Sequence, residues 1–600
     1  MSFGVEPQTP AGGQAPLDPP KTVVVLTQKP ASRAIRRPST LVIAAFVAGV
    51  LPFALHTWAA LHGSFAQDDF VVTHQAAAAG PFDLGYLFQD YHGHLMPGGF
   101  FLAALLTWWA PLNFPLLVLP LLLMRAGATV LFWCLLVRCF GRRWAILVPF
   151  TVFTASTLLL VPTLWWSYGI QLVPVVLAAA GALHAHVRFL TDGGRWWLGA
   201  FAWTLFGLAF YEKAAVIPVL LAGVTVLLGR SFREHARYWA AQAVLLAGFV
   251  AVFFLVTSSQ VGQGAQPMSA GTVADLTGRM LGDTLLPGLA GGPWSGPGPG
   301  ATWAPSPFVV VLVLLAVALG VVLAGARIGG RRAWGAWALL ATLFTVDVAL
   351  LALTRLREVG PAAGDDPRYV ADLALSAALC GAFAFLPPGS PAGKRERPVA
   401  LILSVLLLIS SAVGFARLSP ALRFDHSRQY IAHVRAAVGE DPDLVFYDTF
   451  VPSEVVHEWF GADSRASRVV GLLPGTHFDQ PTSRMHVLDD TGTPHRVTGV
   501  DPVSRGVPGP VPGCGNAIGE TLVRIPLDTP VLGRYLLKLD YYTSDGGEGL
   551  VERTPVWFQA GLHTLYLPVD GLFDHIGVQL SSPGAPVCVA KAEVGKPVTQ

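Results

Sequence analysis

The chain has 600 residues, of which 53% are hydrophobic and only 13% charged, where an ordinary soluble domain carries about 25% charge. With a mean hydropathy of +0.53 it is an integral membrane protein. A net charge of +2 leaves no basic excess for nucleic acid, and five cysteines exclude a disulfide-rich scaffold.

Residues 1–38 are rich in Pro, Gly and Gln and end in Arg33, Arg36 and Arg37, a composition that cannot bury a core and predicts a disordered cytoplasmic N-terminus. The apolar run at 40–60 can cross a bilayer at roughly 20 residues per span, so it reads as a retained first helix rather than a cleaved leader. Runs near 115–138, 144–162, 168–187, 196–212, 214–230, 238–257, 306–327, 333–355, 368–387 and 398–415 bring the expectation to about eleven transmembrane helices within a domain at 39–415. Basic groups at Arg138/Arg142/Arg143, Arg188/Arg195, Arg230/Arg233/Arg237, Arg327/Arg331/Arg332 and Lys394/Arg395/Arg397 fall at alternate helix ends, as a single cytoplasmic face requires. An odd number of crossings then puts the C-terminus outside the cell. The segment 97–111 is apolar but short and carries Trp108 and Trp109, which suits a helix lying at the interface. Of the external loops, 61–96 joins the first two helices, and 258–305 includes a Gly/Pro-rich stretch at 291–300 that reads as a lid or a linker.

Beyond about 416 the texture becomes soluble. In 416–505 a helical piece from Arg428 to Val438 precedes AspLeuValPheTyrAsp at 443–448, which predicts a small extracytoplasmic α/β module. In 506–600 alternating runs separated by Gly, Asp and Pro predict an extracytoplasmic β-sandwich. Cys514 precedes the first of these strands and Cys588 falls in the last. A bridge between them would close the sandwich in an oxidising compartment; two separate thiols are the alternative.

Asp68 and Asp69, adjacent carboxylates just beyond the first helix, suit deprotonation of a hydroxyl or capture of a divalent cation; a solvated loop is the plain reading. Asp90, His92 and His94 follow in the same loop and could position a polar acceptor, the spacing being unlike a closed zinc site. At 210–215, Tyr211, Glu212 and Lys213 lie at an external turn, and Lys213 is the one lysine between residues 30 and 393. An ammonium there could meet a lipid phosphate, with Glu212 steadying it; an interfacial ion pair is the alternative. Arg355, Arg357 and Arg368 form a second external basic group, with Tyr369 beside it. Guanidinium groups grip phosphate through paired donors, although snorkelling arginines would look the same in sequence. Arg125 and Asp347 fall near mid-span and are expected to turn inward as packing or cavity lining, where pairing is one option. Trp165, Trp166 and Tyr168 are either an aromatic belt or a stacking surface for sugar.

AspAsp after the first helix, GlyHisLeuMetPro before the interfacial segment, TyrGluLysAlaAla between later spans and ArgTyr opening a late one together resemble the GT-C fold glycosyltransferases related to protein O-mannosyltransferases. The C-terminal strands are similar to the carbohydrate-binding modules of actinobacterial arabinosyltransferases in that superfamily. The resemblance implies a polyprenyl-phosphate sugar donor and transfer to a cell-envelope glycan or protein on the extracytoplasmic face. It implies Asp68 or Asp69 as general base, Lys213, Arg355, Arg357 and Arg368 on the donor phosphate, and His94 on the acceptor side. The acidic pair is AspAsp where many O-mannosyltransferases have AspGlu, and their large hydrophilic domain has no counterpart here. One base and a preformed leaving phosphate imply an inverting transferase; no cofactor is fixed by the resemblance, and a divalent cation is an open alternative. A transporter or flippase of lipid-linked sugar would show internal repeats and discontinuous helices; a non-catalytic envelope scaffold would leave the cationic group without a task.

Overall fold

The computed structural model describes residues 39–257, 268–298, 301–387, 393 and 395–600. The expectation for 1–38, residues 258–267 and 299–300 of the proposed lid, and Lys394 of the last basic group lie outside these residues. The protein is a multi-pass α-helical membrane protein with a C-terminal β-sheet region. Among the described residues, seven helices are long and apolar enough to cross a membrane: Thr40–Leu61, Phe114–Phe140, Trp166–Asp192, Arg233–Val256, Phe308–Gly329, Arg331–Thr354 and Glu396–Leu422.

Four of the eleven expected runs fall short of that length, each interrupted or shortened locally. The run at 144–162 breaks after Thr154; Thr154 Oγ1 donates to Ala48 O at 2.8 Å and Ser156 Oγ, in the break, to Gly288 O at 3.0 Å. Pro162 then opens a separate short helix, Val161–Leu164. The run at 196–212 ends at Phe210, and that at 214–230 starts as a 3₁₀ turn, Glu212–Val216, before Ile217–Leu227. Pro367 starts another 3₁₀ turn, so the late run is helical only over Leu373–Phe385.

Helix Trp166–Asp192 is the central one, with 83% of its apolar window buried, whereas Arg233–Val256 and Phe308–Gly329 bury 6% each and present their apolar surfaces outward. Close packing at the centre depends on glycine. A Cβ on Gly181 would lie 2.5 Å from the Trp203 ring, and one on Gly169 2.5 Å from Pro162 O. An Arg125–Asp347 pair does not form. Arg125 donates instead to Leu159 O at 3.1 Å and Thr163 Oγ1 at 2.5 Å, while Asp347 meets Lys213.

Helix ends collect on two faces. On one, Arg138 bonds Asp192 and Thr191, Arg143 bonds Glu396, and Arg397 covers the Trp144 ring. On the other lie Asp68, the start of Trp166–Asp192 and the whole C-terminal region. Helix Pro97–Trp109 has both ends on this second face: Gly98 packs on Phe210, and Leu112 just beyond its other end accepts from Arg435. It therefore lies along the surface, with Trp108 and Trp109 exposed.

In the C-terminal region, ten strands form one sheet rather than an α/β module and a separate two-layered sandwich. The strands are β1 (Val445–Phe446), β2 (His477–Phe478), β3 (Met485–Leu488), β4 (Pro494–Arg505), β5 (Asn516–Ile518), β6 (Val523–Thr543), β7 (Gly547–Val551), β8 (Thr554–Phe558), β9 (Gly561–Leu580) and β10 (Val587–Thr599). Their order is β2-β1-β3-β4-β10-β6-β9-β7-β8, with β5 also on β10. The long partners β6 and β9 pair antiparallel through a bulge between Pro526 and Val531, and the sheet wraps its own core of Leu537, Leu539, Leu567, Ile576 and Val578. β4, the last strand of the predicted 416–505 unit, pairs with both β3 and β10, which is why the two units merge. Cys514 and Cys588 are joined in a disulfide with Cα atoms 4.7 Å apart, fastening the turn before β5 to β10. The helix Asp425–Glu440 and β1 share one core with the membrane helices through Tyr430, Val434, Phe446 and Val456.

Candidate active site

The site begins at a helix start that cannot cap itself. Trp165, the residue before helix Trp166–Asp192, offers no capping side chain, and the free N–H groups of that first turn carry partial positive charge. Asp69 supplies the acceptor from another segment: its Oδ1 accepts from Ser167 N at 2.7 Å and its Oδ2 from Ala66 N at 2.9 Å. Asp69 is fully buried and both of its oxygens are committed. Asp68 is half-buried. Its Oδ1 accepts from Trp165 Nε1 at 2.9 Å and Ser167 Oγ at 2.8 Å, and Oδ2 has no hydrogen bond among the described residues.

Burial raises both carboxyls above the ordinary carboxylate range. For Asp69 the charge of Asp68 adds to the rise; for Asp68 the bonds from Ser167 and Trp165 and the charge of Arg368 pull the other way. With both Asp69 oxygens taken by backbone N–H groups, the pair is not arranged as a chelate. Among the described residues no three His, Cys, Asp or Glu side chains converge on a metal position.

A wall of aromatic rings links Asp68 to Arg368. Trp165 stacks on Tyr168 with centroids 4.3 Å apart, and the Arg368 guanidinium lies 4.2 Å over Tyr168 and 4.8 Å over Tyr369. Asp366 holds Arg368 from the side at 2.9 Å. Thus residues from three distant parts of the chain are joined by contacts on the second face.

The other expected ligands have different tasks. Lys213 is buried, with Nζ 2.9 Å from Asp347, 2.5 Å from Asp372 and 2.8 Å from Tyr369 O. The ammonium supports the Arg368–Tyr369 segment from beneath instead of facing a headgroup. Glu212 does not steady it: Oε1 of Glu212 lies 2.6 Å from His94 Nδ1, with the His94 ring edge-on to Tyr211 at 5.6 Å. Residues 91–94 make a two-residue turn in which His92 and Gly93 both have positive φ, 52° and 83°. Asp90 Oδ1 accepts from Gly93 N at 2.8 Å and fixes that turn. Arg355 Nη2 donates to His92 O at 3.2 Å and also pairs with Glu358, so it ties the turn down. Arg357 Nε is buried with no hydrogen-bond partner, and no contact among the described residues joins it to Asp68.

Gln67, Ser167, Asp366 and Asp372 were not singled out by any motif in the sequence. Gln67, next to Asp68, has φ 47° and ψ −117° and meets the C-terminal region through three hydrogen bonds, with Val455 O, Ser453 O and His457 N.

No protein-family model matches the chain, and no curated protein matches it. Among solved structures, ArnT from Cupriavidus metallidurans bound to undecaprenyl phosphate is similar over 76% of this chain and 94% of that one, at 11% identity and a TM-score of 0.44. The same protein in the apo state gives the same coverage and identity with a TM-score of 0.38. Arabinosyltransferase EmbB from Mycobacterium smegmatis is similar over 96% of this chain and 66% of that chain, at 13% identity and a TM-score of 0.33.

Proposed function

We propose that the chain is a membrane glycosyltransferase that moves a sugar from a polyprenyl-phosphate to a cell-envelope glycan or protein on the extracytoplasmic face. One observation carries the reading: a half-buried carboxylate, Asp68, is joined through the Trp165 and Tyr168 rings to the guanidinium of Arg368. Chemistry needs both at once. Asp68 accepts the proton of the acceptor hydroxyl as its oxygen bonds the anomeric carbon. The bond from that carbon to the phosphate oxygen breaks on the opposite side, and the polyprenyl phosphate leaves with the electron pair. Arg368 stabilises the phosphate as its charge grows, and the Trp165 and Tyr168 rings offer an apolar surface to the sugar. A single displacement inverts the anomeric configuration. Asp69 holds Asp68 and the helix start, Lys213 and Arg355 hold the surrounding segments, and His94 with Glu212 lies on the acceptor side.

Purified protein incubated with a panel of radiolabelled polyprenyl-phosphate sugars and envelope glycan, with and without EDTA, tests the reading. Wild type is expected to transfer label from one donor, and Asp68→Asn to lose transfer by about three orders of magnitude or more while still binding donor. Full transfer by Asp68→Asn removes the base. Binding of donor by wild type without turnover favours a transporter or flippase.

A further inference from the structure

Gln67 occupies a backbone conformation that side chains avoid. Its φ of 47° and ψ of −117° belong to the region glycine fills, and a non-glycine residue persists there only when its surroundings over-determine it. Those surroundings come from nearly four hundred residues away. Gln67 N donates to Val455 O at 3.1 Å, Gln67 Nε2 donates to Ser453 O at 3.0 Å, and Gln67 Oε1 accepts from His457 N at 2.7 Å. Val455 and Val456 are buried in the core shared with the membrane helices, so the loop that receives Gln67 is itself anchored. The next residue along the chain is Asp68.

From this we infer that Gln67 is a positioning residue through which the loop 453–457 sets the direction of the Asp68 carboxylate. The inference rests on the reading of Asp68 as the base and adds that the C-terminal region completes the site rather than only presenting an acceptor. A strained φ/ψ immediately before the carboxylate fixes the direction in which helix Asp68–Ala78 sets out. The bonds from Trp165 and Ser167 hold Oδ1 but cannot by themselves choose the backbone conformation at Gln67. Without the latch, the peptide can relax out of the left-handed region, and the Asp68 carboxylate changes direction.

The test compares Gln67→Ala with Gln67→Gly in the full-length protein. Glycine keeps the conformation and the backbone bond but loses the two side-chain bonds; alanine loses the same bonds and keeps the strain. Two readouts are used. Carbodiimide-coupled amine labelling of Asp68, quantified by mass spectrometry, reports the reactivity of the carboxylate whether or not transfer is detected. Transfer kinetics report kcat and KM separately. Gln67→Ala is expected to change the Asp68 labelling rate severalfold and lower kcat about tenfold to a hundredfold with donor KM nearly unchanged, Gln67→Gly lying between it and wild type. Hydrogen exchange at 453–457 checks that each variant is folded and that the latch is open. An open latch with wild-type labelling at Asp68 overturns the inference. Absence of transfer in wild type, with labelling changed in Gln67→Ala, leaves this inference standing and removes the assignment of Asp68 as base.

Discussion

Asp69 gives both carboxylate oxygens to backbone N–H groups, whereas an asparagine in its place has one acceptor oxygen and must leave Ala66 N or Ser167 N unpaired. Asp69→Asn is therefore expected to destabilise the protein by about 1–3 kcal/mol, measured by thermal unfolding in detergent, while Asp68→Asn changes stability little. The division of labour between the two was not legible in the sequence, where AspAsp is symmetric; it depends on Ser167 and Trp165, which reach the pair only after the fold has formed. Asp68 also makes a pH prediction. The base works when ionised, so transfer falls as pH is lowered through the raised value of Asp68, whose first cause is burial and which the charge of Arg368 restrains. Arg368→Gln removes that restraint and should move the acidic limb of the kcat/KM profile to higher pH. A limb that stays in place would show that a different group titrates.

At the scale of elements, the 3₁₀ turn Glu212–Val216 meets the 3₁₀ turn Pro367–Tyr369 through one ammonium. The sequence singled out Lys213 as the lysine standing alone among arginines, and its prominence is real, but a one-dimensional reading could not place Asp347 and Asp372 against it. Those partners are 134 and 159 positions further on. Lys213→Met strands two carboxylates in a buried place, a loss expected to cost about 3–5 kcal/mol in thermal unfolding. Adding Asp347→Asn to Lys213→Met removes one of the stranded charges and should recover part of it, a non-additivity that a lysine contacting only donor phosphate would not produce. Transmembrane runs were legible as apolar composition because lipid demands it. Their breaks were not: the first helix of the run at 144–162 ends at Thr154, and nothing local in the sequence marks the hydroxyls of Thr154 and Ser156 as bonding Ala48 and Gly288 rather than their own helix.

For the whole molecule, each long helix runs from one face to the other, and the faces differ chemically. Arg138, Arg143 and Arg397 gather on one; Asp68, Arg368 and the sheet gather on the other. Gln67 joins the membrane part to the loop 453–457, so the sheet and the site share a side whatever the number of crossings. We propose the direction of the whole assembly from the positive-inside rule, by which the arginine face would be cytoplasmic. The disulfide between Cys514 and Cys588 lies in the sheet, where an oxidising exterior would maintain it. Single-cysteine reporters read this out. Trp459 is 69% exposed on the sheet side, and Arg142 is exposed on the other. With a membrane-impermeant maleimide, Trp459→Cys should label in intact cells and Arg142→Cys only after permeabilisation. Labelling of Arg142→Cys in intact cells, with Trp459→Cys protected, would turn the molecule over and place Asp68 against the cytoplasm, where a donor presented outside the cell could not reach it.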